Sequence, residues 1–293
     1  MIAITNKFVQ NQSIKKYSRE IEKVLSNNPG HKFPQRFVIF NFPRSGSNLL
    51  CGMLNKHPEI LCHHEIFNPQ KIYYSKDFHQ LYGGDQGLDR QDLISGKVGL
   101  GSKLNRNLEP EKFILKIWQH NFDFPTVGFN LFPSHIPNAA IPLVKDKEVR
   151  KILLRRRNKV KCYVSRAIAR KTGRWDSYKK SASTKKTNPV QVKVNPKHLL
   201  SWSRRYDHYF ETMRQSITES GQSFLELTYE DLVGSQGDTV KSNLLNFIGV
   251  APQIEYLQPP LKKQNSDQLT DLIINFAELK NQLLGSELEC LLD

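Results

Sequence analysis

Five consecutive residues, Arg44-Ser45-Gly46-Ser47-Asn48, put a permanent positive charge, two hydroxyls, a carboxamide and a glycine into one short turn. That set is suited to holding an anion. Arginine is a planar donor that stays charged throughout the physiological range. Gly46 permits unusual dihedrals and close approach of a ligand to the backbone. The flanking elements complete the arrangement. Phe37-Val-Ile-Phe40 is a short aromatic and β-branched run that reads as a buried strand, and Pro43 stops it. Leu49, Leu50, Met53 and Leu54 then recur at helical spacing, Pro58 lies just past the end, and Ser47 or Asn48 is the expected cap. A helix N-terminus beside a strand end offers an anion free N–H groups and the positive end of a dipole.

The same plan recurs further along. Val149 to Leu154 reads as a strand, Arg155-Arg156-Arg157 as a basic turn, and Asn158 as the cap of a helix whose apolar stripe is Val160, Val164, Ala167 and Ile168. Shorter apolar runs at Ile60–Cys62, Thr126–Leu131 and Phe224–Thr228 read as further strands. Phe113–Trp118 fits a strand or a buried helix. Leu199–Ile217 reads as a helix with Trp202, Tyr206, Tyr209, Phe210 and Met213 on its core face, and Val240–Ile248 as one ended near Gly249. A weak amphipathic stretch from Ile14 to Leu25 precedes the first strand. Strands alternating with helices predict an α/β fold: a central parallel sheet flanked by helices, with ligands at the strand C-termini. The expected organisation is one unit, with a core at 34–250, an N-terminal helical extension at 1–33 and a C-terminal segment at 251–293.

The turn lacks the first glycine and the Gly-Lys pair of the strict P-loop, G-x-x-x-x-G-K-[ST]. Pro43-Arg44-Ser45-Gly46-Ser47-Asn48-Leu49 instead resembles the 5′-phosphosulfate loop of sulfotransferases, a P-loop-like fold that binds 3′-phosphoadenylyl sulfate (PAPS) and releases 3′-phosphoadenosine 5′-phosphate (PAP). Arg157 and Ser165, eight positions apart, resemble the family's 3′-phosphate site, with Arg156 the alternative should the strand slip by one. Leu227-Thr-Tyr229-Glu230-Asp231-Leu232 and Phe247-Ile-Gly249-Val250 resemble two further, mostly structural, family segments, and Asn265–Leu284 faintly resembles the closing segment of bacterial carbohydrate sulfotransferases. The nearest pattern is that of bacterial carbohydrate and nodulation-type enzymes. In that branch a Glu near the end of the second strand is the base, which falls on Glu65 in Glu65-Ile-Phe-Asn68, with His64 in reserve and His135 after it. Arg44 is then the candidate for the leaving-group oxygen. The resemblance implies a donor but no metal, and an acceptor hydroxyl on a carbohydrate, glycolipid or small metabolite. Asn130 stands where relatives often carry Lys.

The formal net charge of the 293-residue chain is +15, and its placement is uneven. Residues 145–197 hold 19 Lys or Arg against three acids. Such a run fits a solvated face, a nucleic-acid-binding surface or a basic wall for an anionic ligand. A nucleic-acid-binding protein would leave the turn at Arg44 unexplained and shows no recognised reading motif. A P-loop kinase-like phosphotransferase would need the missing Gly-Lys pair. His57, His63, His64 and Glu65 raise a metal reading, but neighbours along a strand point to opposite faces and the spacing suits neither a zinc helix nor a closed four-ligand site. The Gly96–Lys103 run is glycine-rich but follows no clear strand. Four irregularly spaced cysteines form no disulfide framework or zinc pattern, which fits a reducing compartment. No 18-residue apolar run is present and the first residues lack a signal-peptide pattern, so a cytoplasmic location is expected. Residues 70–110 and 173–196 read as loops that would shape the acceptor pocket, the second as a lid.

Overall fold

The computed structural model describes residues 7–30, 32–70, 72–75, 103–135, 137–175, 190–259 and 268–292. The glycine-rich run before Lys103, most of the loop expected at 70–110 and the middle of the lid expected at 173–196 lie outside the described residues. Five parallel strands, β1 (Gln35–Asn41), β2 (Ile60–His63), β3 (Thr126–Leu131), β4 (Val149–Arg155) and β5 (Phe224–Thr228), form one sheet in the order β2-β3-β1-β4-β5. Helices flank it. In chain order they are α1 (Lys7–Asn27), α2 (Ser47–Leu54), α3 (Lys103–Leu108), α4 (Pro110–Gln119), α5 (Pro137–Lys145), α6 (Lys159–Thr172), α7 (Pro196–Glu219), α8 (Tyr229–Val233), α9 (Gly237–Ile248) and α10 (Phe276–Gln282). The α/β class expected from the strand–helix alternation is the one observed, with a P-loop-like strand–turn–helix at its centre.

Alternation along β1 divides the core. Val38 and Phe40 face one side, packed with Phe129, Leu153 and the aromatic face of α7. Phe37 and Ile39 face the other, packed with Leu50 and Met53 of α2 and Leu244, Leu245 and Ile248 of α9. Close strand approach needs a glycine at one point: a Cβ on Gly128 of β3 would stand 2.3 Å from the Phe37 ring of its β1 partner. A third cluster joins Val160, Val164 and Ile168 of α6 to Leu272, Leu279 and Leu283 of the C-terminal segment.

The sheet order sets where a ligand can go. From β1 the chain crosses α2 to β2 on one side, and from β4 it crosses α6 and α7 to β5 on the other. Beyond the C-terminal ends of β1 and β4 lies the topological switch point, where open α/β sheets bind ligands. Both basic turns open there. The structure decides one open reading and adds a helix that the sequence pattern did not show. Phe113–Trp118 lies in helix α4, not a strand, and α5 covers 137–145, where Pro137 and Pro142 break the sequence pattern. No helix among the described residues is long and apolar enough to cross a membrane.

Candidate active site

The turn after β1 is tightly folded. Ser45 donates its amide to Phe42 O at 3.1 Å and its hydroxyl to the same oxygen at 2.6 Å. Helix α2 begins at Ser47, and the capping position belongs to Gly46, in a left-handed conformation (φ 101°), not to Ser47 or Asn48. A side chain on Gly46 would be strained by that φ and would meet the Tyr229 ring, 2.8 Å from its Cβ position. Without a side-chain cap, the first N–H groups of α2 are presented to the crevice. Leu49 is half-buried against the α2–α9 core. Phe42, at the entrance of the turn, sits among Trp202, Tyr206 and Tyr209 of α7, with ring centroids 5.2–5.7 Å apart. Cys162 of α6 reaches Pro43 O at 3.3 Å, and burial pushes its thiol up to about 12. The turn is therefore anchored from two helices.

Arg44 is itself left-handed, with φ 73°. Its Nε donates to Ser165 Oγ at 3.0 Å, and Nη1 donates to Trp175 O. Arg44 and Ser165 lie 121 residues apart, so the contact joins the turn after β1 to the middle of α6.

The turn after β4 is held by the segment that follows β5. Glu230 Oε2 accepts the Arg157 amide at 2.9 Å, Oε1 accepts the Asn158 amide at 3.3 Å, and Arg156 Nε is 3.9 Å from Oε1. The Arg156 guanidinium lies over the Tyr229 ring, 4.7 Å from its centroid. Tyr206 braces the Arg156 peptide from both ends, accepting its N–H at 2.6 Å and donating to its carbonyl at 3.1 Å. Asn158 caps α6, as its residue type predicts, by accepting from Lys161 N. Arg157 turns outward onto Asp231 with 60% of its side chain exposed, so it is accessible to a ligand without rearrangement of the core. The Tyr229-Glu230-Asp231 segment has a structural part at the site: its ring limits the β1 turn and its carboxylates fix the arginines of the β4 turn. Neither role was visible in sequence, because both are contacts across about 70 to 180 residues.

Glu65 occupies the same edge of the sheet. β2 is separated from β1 by β3, so at 4.7–4.9 Å per strand their ends stand about 10 Å apart. Just past β2, the Glu65 carboxylate accepts from Asn68 Nδ2 at 2.7 Å, and its Oε2 lies 3.6 Å from His135 Nε2. His135 Nδ1 faces the Phe132 amide at 3.2 Å and accepts from it, which leaves the proton on Nε2, aimed at Glu65. Burial lowers the His135 pKa and Glu65 opposes that shift, so at neutral pH the ring is neutral. His135 is therefore placed to donate toward Glu65 and not to take a proton from an acceptor. His64 stands beside Glu65, its carbonyl accepting from Asn130 N at 3.3 Å. Asn130 is fully buried and donates to Cys51 Sγ at 3.5 Å. His57 and His63 turn elsewhere: His57 packs on Tyr256, while His63 packs on Tyr74 and accepts from Ser75 N.

Among the described residues Arg156 Nε is buried without a hydrogen-bond partner, with Glu230 Oε1 3.9 Å away. The first amides of α2 and the guanidinium groups of Arg44 and Arg157 give this end of the sheet donors suited to a multiply anionic ligand.

No family model matches the chain. Nodulation protein H of Rhizobium tropici is 23% identical over 258 residues, covering 86% of this chain and 90% of that protein. Solved structures to which the chain is similar include the sulfotransferase domain of the Synechococcus PCC 7002 olefin synthase (TM-score 0.36, 20% identity, 85% of each chain) and a sulfotransferase from Alicyclobacillus acidocaldarius (TM-score 0.42, 12% identity, 89% of this chain and 96% of that one). Over most of its length the chain is thus similar in sequence to this nodulation protein.

Proposed function

We propose that this protein moves a sulfuryl group from PAPS to a hydroxyl of a carbohydrate, glycolipid or small metabolite. The observation that carries the reading is the convergence at the switch point. Arg44 and Ser165, one from each resembling half-site, are in hydrogen-bond contact at 3.0 Å, and a carboxylate, Glu65, lies on the same sheet edge. When bound, the donor supplies the sulfuryl group and a phosphate leaving group. Ser45, Gly46, Ser47, Asn48 and Leu49 form the 5′ cradle. Arg157 and Ser165 take the 3′-phosphate, and Arg156 lines the space between. Glu65 accepts the proton of the incoming hydroxyl. Arg44 neutralises the charge that develops on the bridging oxygen as the S–O bond breaks, so positioning and preorganised charge supply most of the acceleration. No metal has a part in this scheme, and the basic segment acts as an attracting wall for anions instead of a nucleic-acid surface.

The direct test is transfer of labelled sulfate from PAPS across a panel of sugars, glycolipids and phenols, repeated with a magnesium chelator. Transfer that persists with chelator supports the reading, and transfer of phosphate from ATP in place of sulfate overturns it.

The 3′ site has its own expected result. Charge-assisted hydrogen bonds are worth about 1.5–3 kcal/mol, so Arg157→Ala weakens PAP binding roughly ten- to hundredfold by calorimetry. It leaves the analogue lacking the 3′-phosphate unaffected. Equal loss for both nucleotides would show that Arg157 does not touch that phosphate.

A further inference from the structure

Helix α3 contributes a residue that no motif singles out. Arg106 is wholly buried, yet among the described residues it makes no ion pair. Its Nη1 donates to Ile66 O at 2.9 Å and to Asn68 O at 2.8 Å, while Nε and Nη2 both donate to Asn107 Oδ1 at 3.0 and 2.9 Å. A buried guanidinium matched, among the described residues, by neutral dipoles alone is a costly choice for a fold. An apolar residue would fill the same space without that cost. What the cation secures is specific: the two carbonyls it holds belong to the turn that carries Glu65.

That turn runs from Glu65 to Asn68, closed by the Asn68 amide donating to Glu65 O at 3.1 Å. Its corner residues, Ile66 and Phe67, are fully buried. Asn68 Nδ2 reaches back to Glu65 Oε2 at 2.7 Å, and Asn68 Oδ1 accepts from Gln70 N at 2.9 Å. Arg106 thus reaches the carboxylate through one residue and two hydrogen bonds: guanidinium to the Asn68 carbonyl, and Asn68 side-chain amide to Glu65. His135 Nε2 closes on Glu65 from the other side at 3.6 Å.

We infer that Arg106 is a positioning residue: by clamping the Ile66 and Asn68 carbonyls it fixes the Asn68 side chain, and through it the orientation of the Glu65 carboxylate. This rests on the proposed role of Glu65 as base. A general base must sit within hydrogen-bond reach of the proton that it takes, and misplacement by about 1 Å costs roughly a hundredfold in rate. Both contacts fall on Oε2, which leaves Oε1 as the oxygen for the acceptor.

The test uses Arg106→Lys, which keeps the charge but cannot fork, and Arg106→Ala, each read in two ways on the full chain. Hydrogen exchange of the 65–75 amides reports the turn without reference to activity. Steady-state kinetics with PAPS and the best acceptor of the panel report the carboxylate. In both variants the turn is expected to exchange faster and kcat to fall roughly ten- to hundredfold, with PAP affinity unchanged and the activity of Arg106→Ala partly restored by added guanidinium. Unchanged exchange in the turn overturns the inference, as does wild-type kcat in variants whose turn is loosened. Failure of the wild-type chain to transfer sulfate or bind PAP would instead overturn the proposed function, and the exchange result would still decide whether Arg106 holds the turn.

Discussion

Replacing Glu65 with Gln lowers kcat for sulfuryl transfer about 10²–10⁴-fold, the usual worth of a positioned general base, and leaves PAP affinity where it was. Gln keeps the shape of the side chain and can still pair with Asn68 and His135 after an amide rotation, so the turn persists. What is lost is the capacity to accept a proton. The neutral His135 does not substitute for it: its Nδ1 is committed to the Phe132 amide, its Nε2 carries a proton, and it is almost entirely buried. Rapid-quench measurement of labelled product with saturating PAPS checks the outcome. Full turnover in Glu65→Gln would move the base elsewhere, and His64, next to Glu65 at the end of β2, would be the first place to look.

Arg44→Met lowers kcat about 10²–10³-fold, the range seen when one donor to a developing charge is removed, and weakens PAP binding far less. Met is the informative replacement because Arg44 adopts φ 73°: both residues bear the same left-handed strain, whereas Gly would relieve it and change the loop as well as the charge. The side chain at 44 reaches Ser165 and the carbonyl of Trp175, so it spans the crevice where the bridging oxygen of a donor would lie. A group that touches only a ground-state phosphate would lower affinity and kcat/KM together with kcat unchanged. Single-turnover kinetics paired with PAP calorimetry separates the two cases, and lost PAP affinity with an unchanged rate at saturating PAPS would reduce Arg44 to an ordinary phosphate contact.

Much of this arrangement was legible from residue types because it is local. The aromatic and β-branched run at 37–40 sits inside β1, Asn158 caps α6 through its own side chain, and the apolar face of α7 is the one its spacing describes. The exceptions have physical causes. Gly46, not Ser47, occupies the capping position, because the turn needs a left-handed residue against the Tyr229 ring more than it needs a hydroxyl. Helix α5 hides behind Pro137 and Pro142, the first of which suits an opening turn while the second breaks the pattern. Helix α1 extends to 7–27, beyond the amphipathic stretch at 14–25, where Tyr17 reaches Asp146 at 3.0 Å. The site was legible only in its segments. That His135 meets Glu65, that Arg44 meets Ser165 and that Glu230 ties down the arginines of the β4 turn are facts of strand order, and side-chain chemistry alone does not contain them.

The seating of Phe42 among Trp202, Tyr206 and Tyr209 has a thermodynamic meaning. The residue that leads into the turn proposed to hold phosphate packs against the aromatic core, so the turn is ordered when the chain folds and not when a nucleotide arrives. Association then meets a preformed cradle and gives up little backbone entropy, which leaves donor affinity to be set by desolvation and charge.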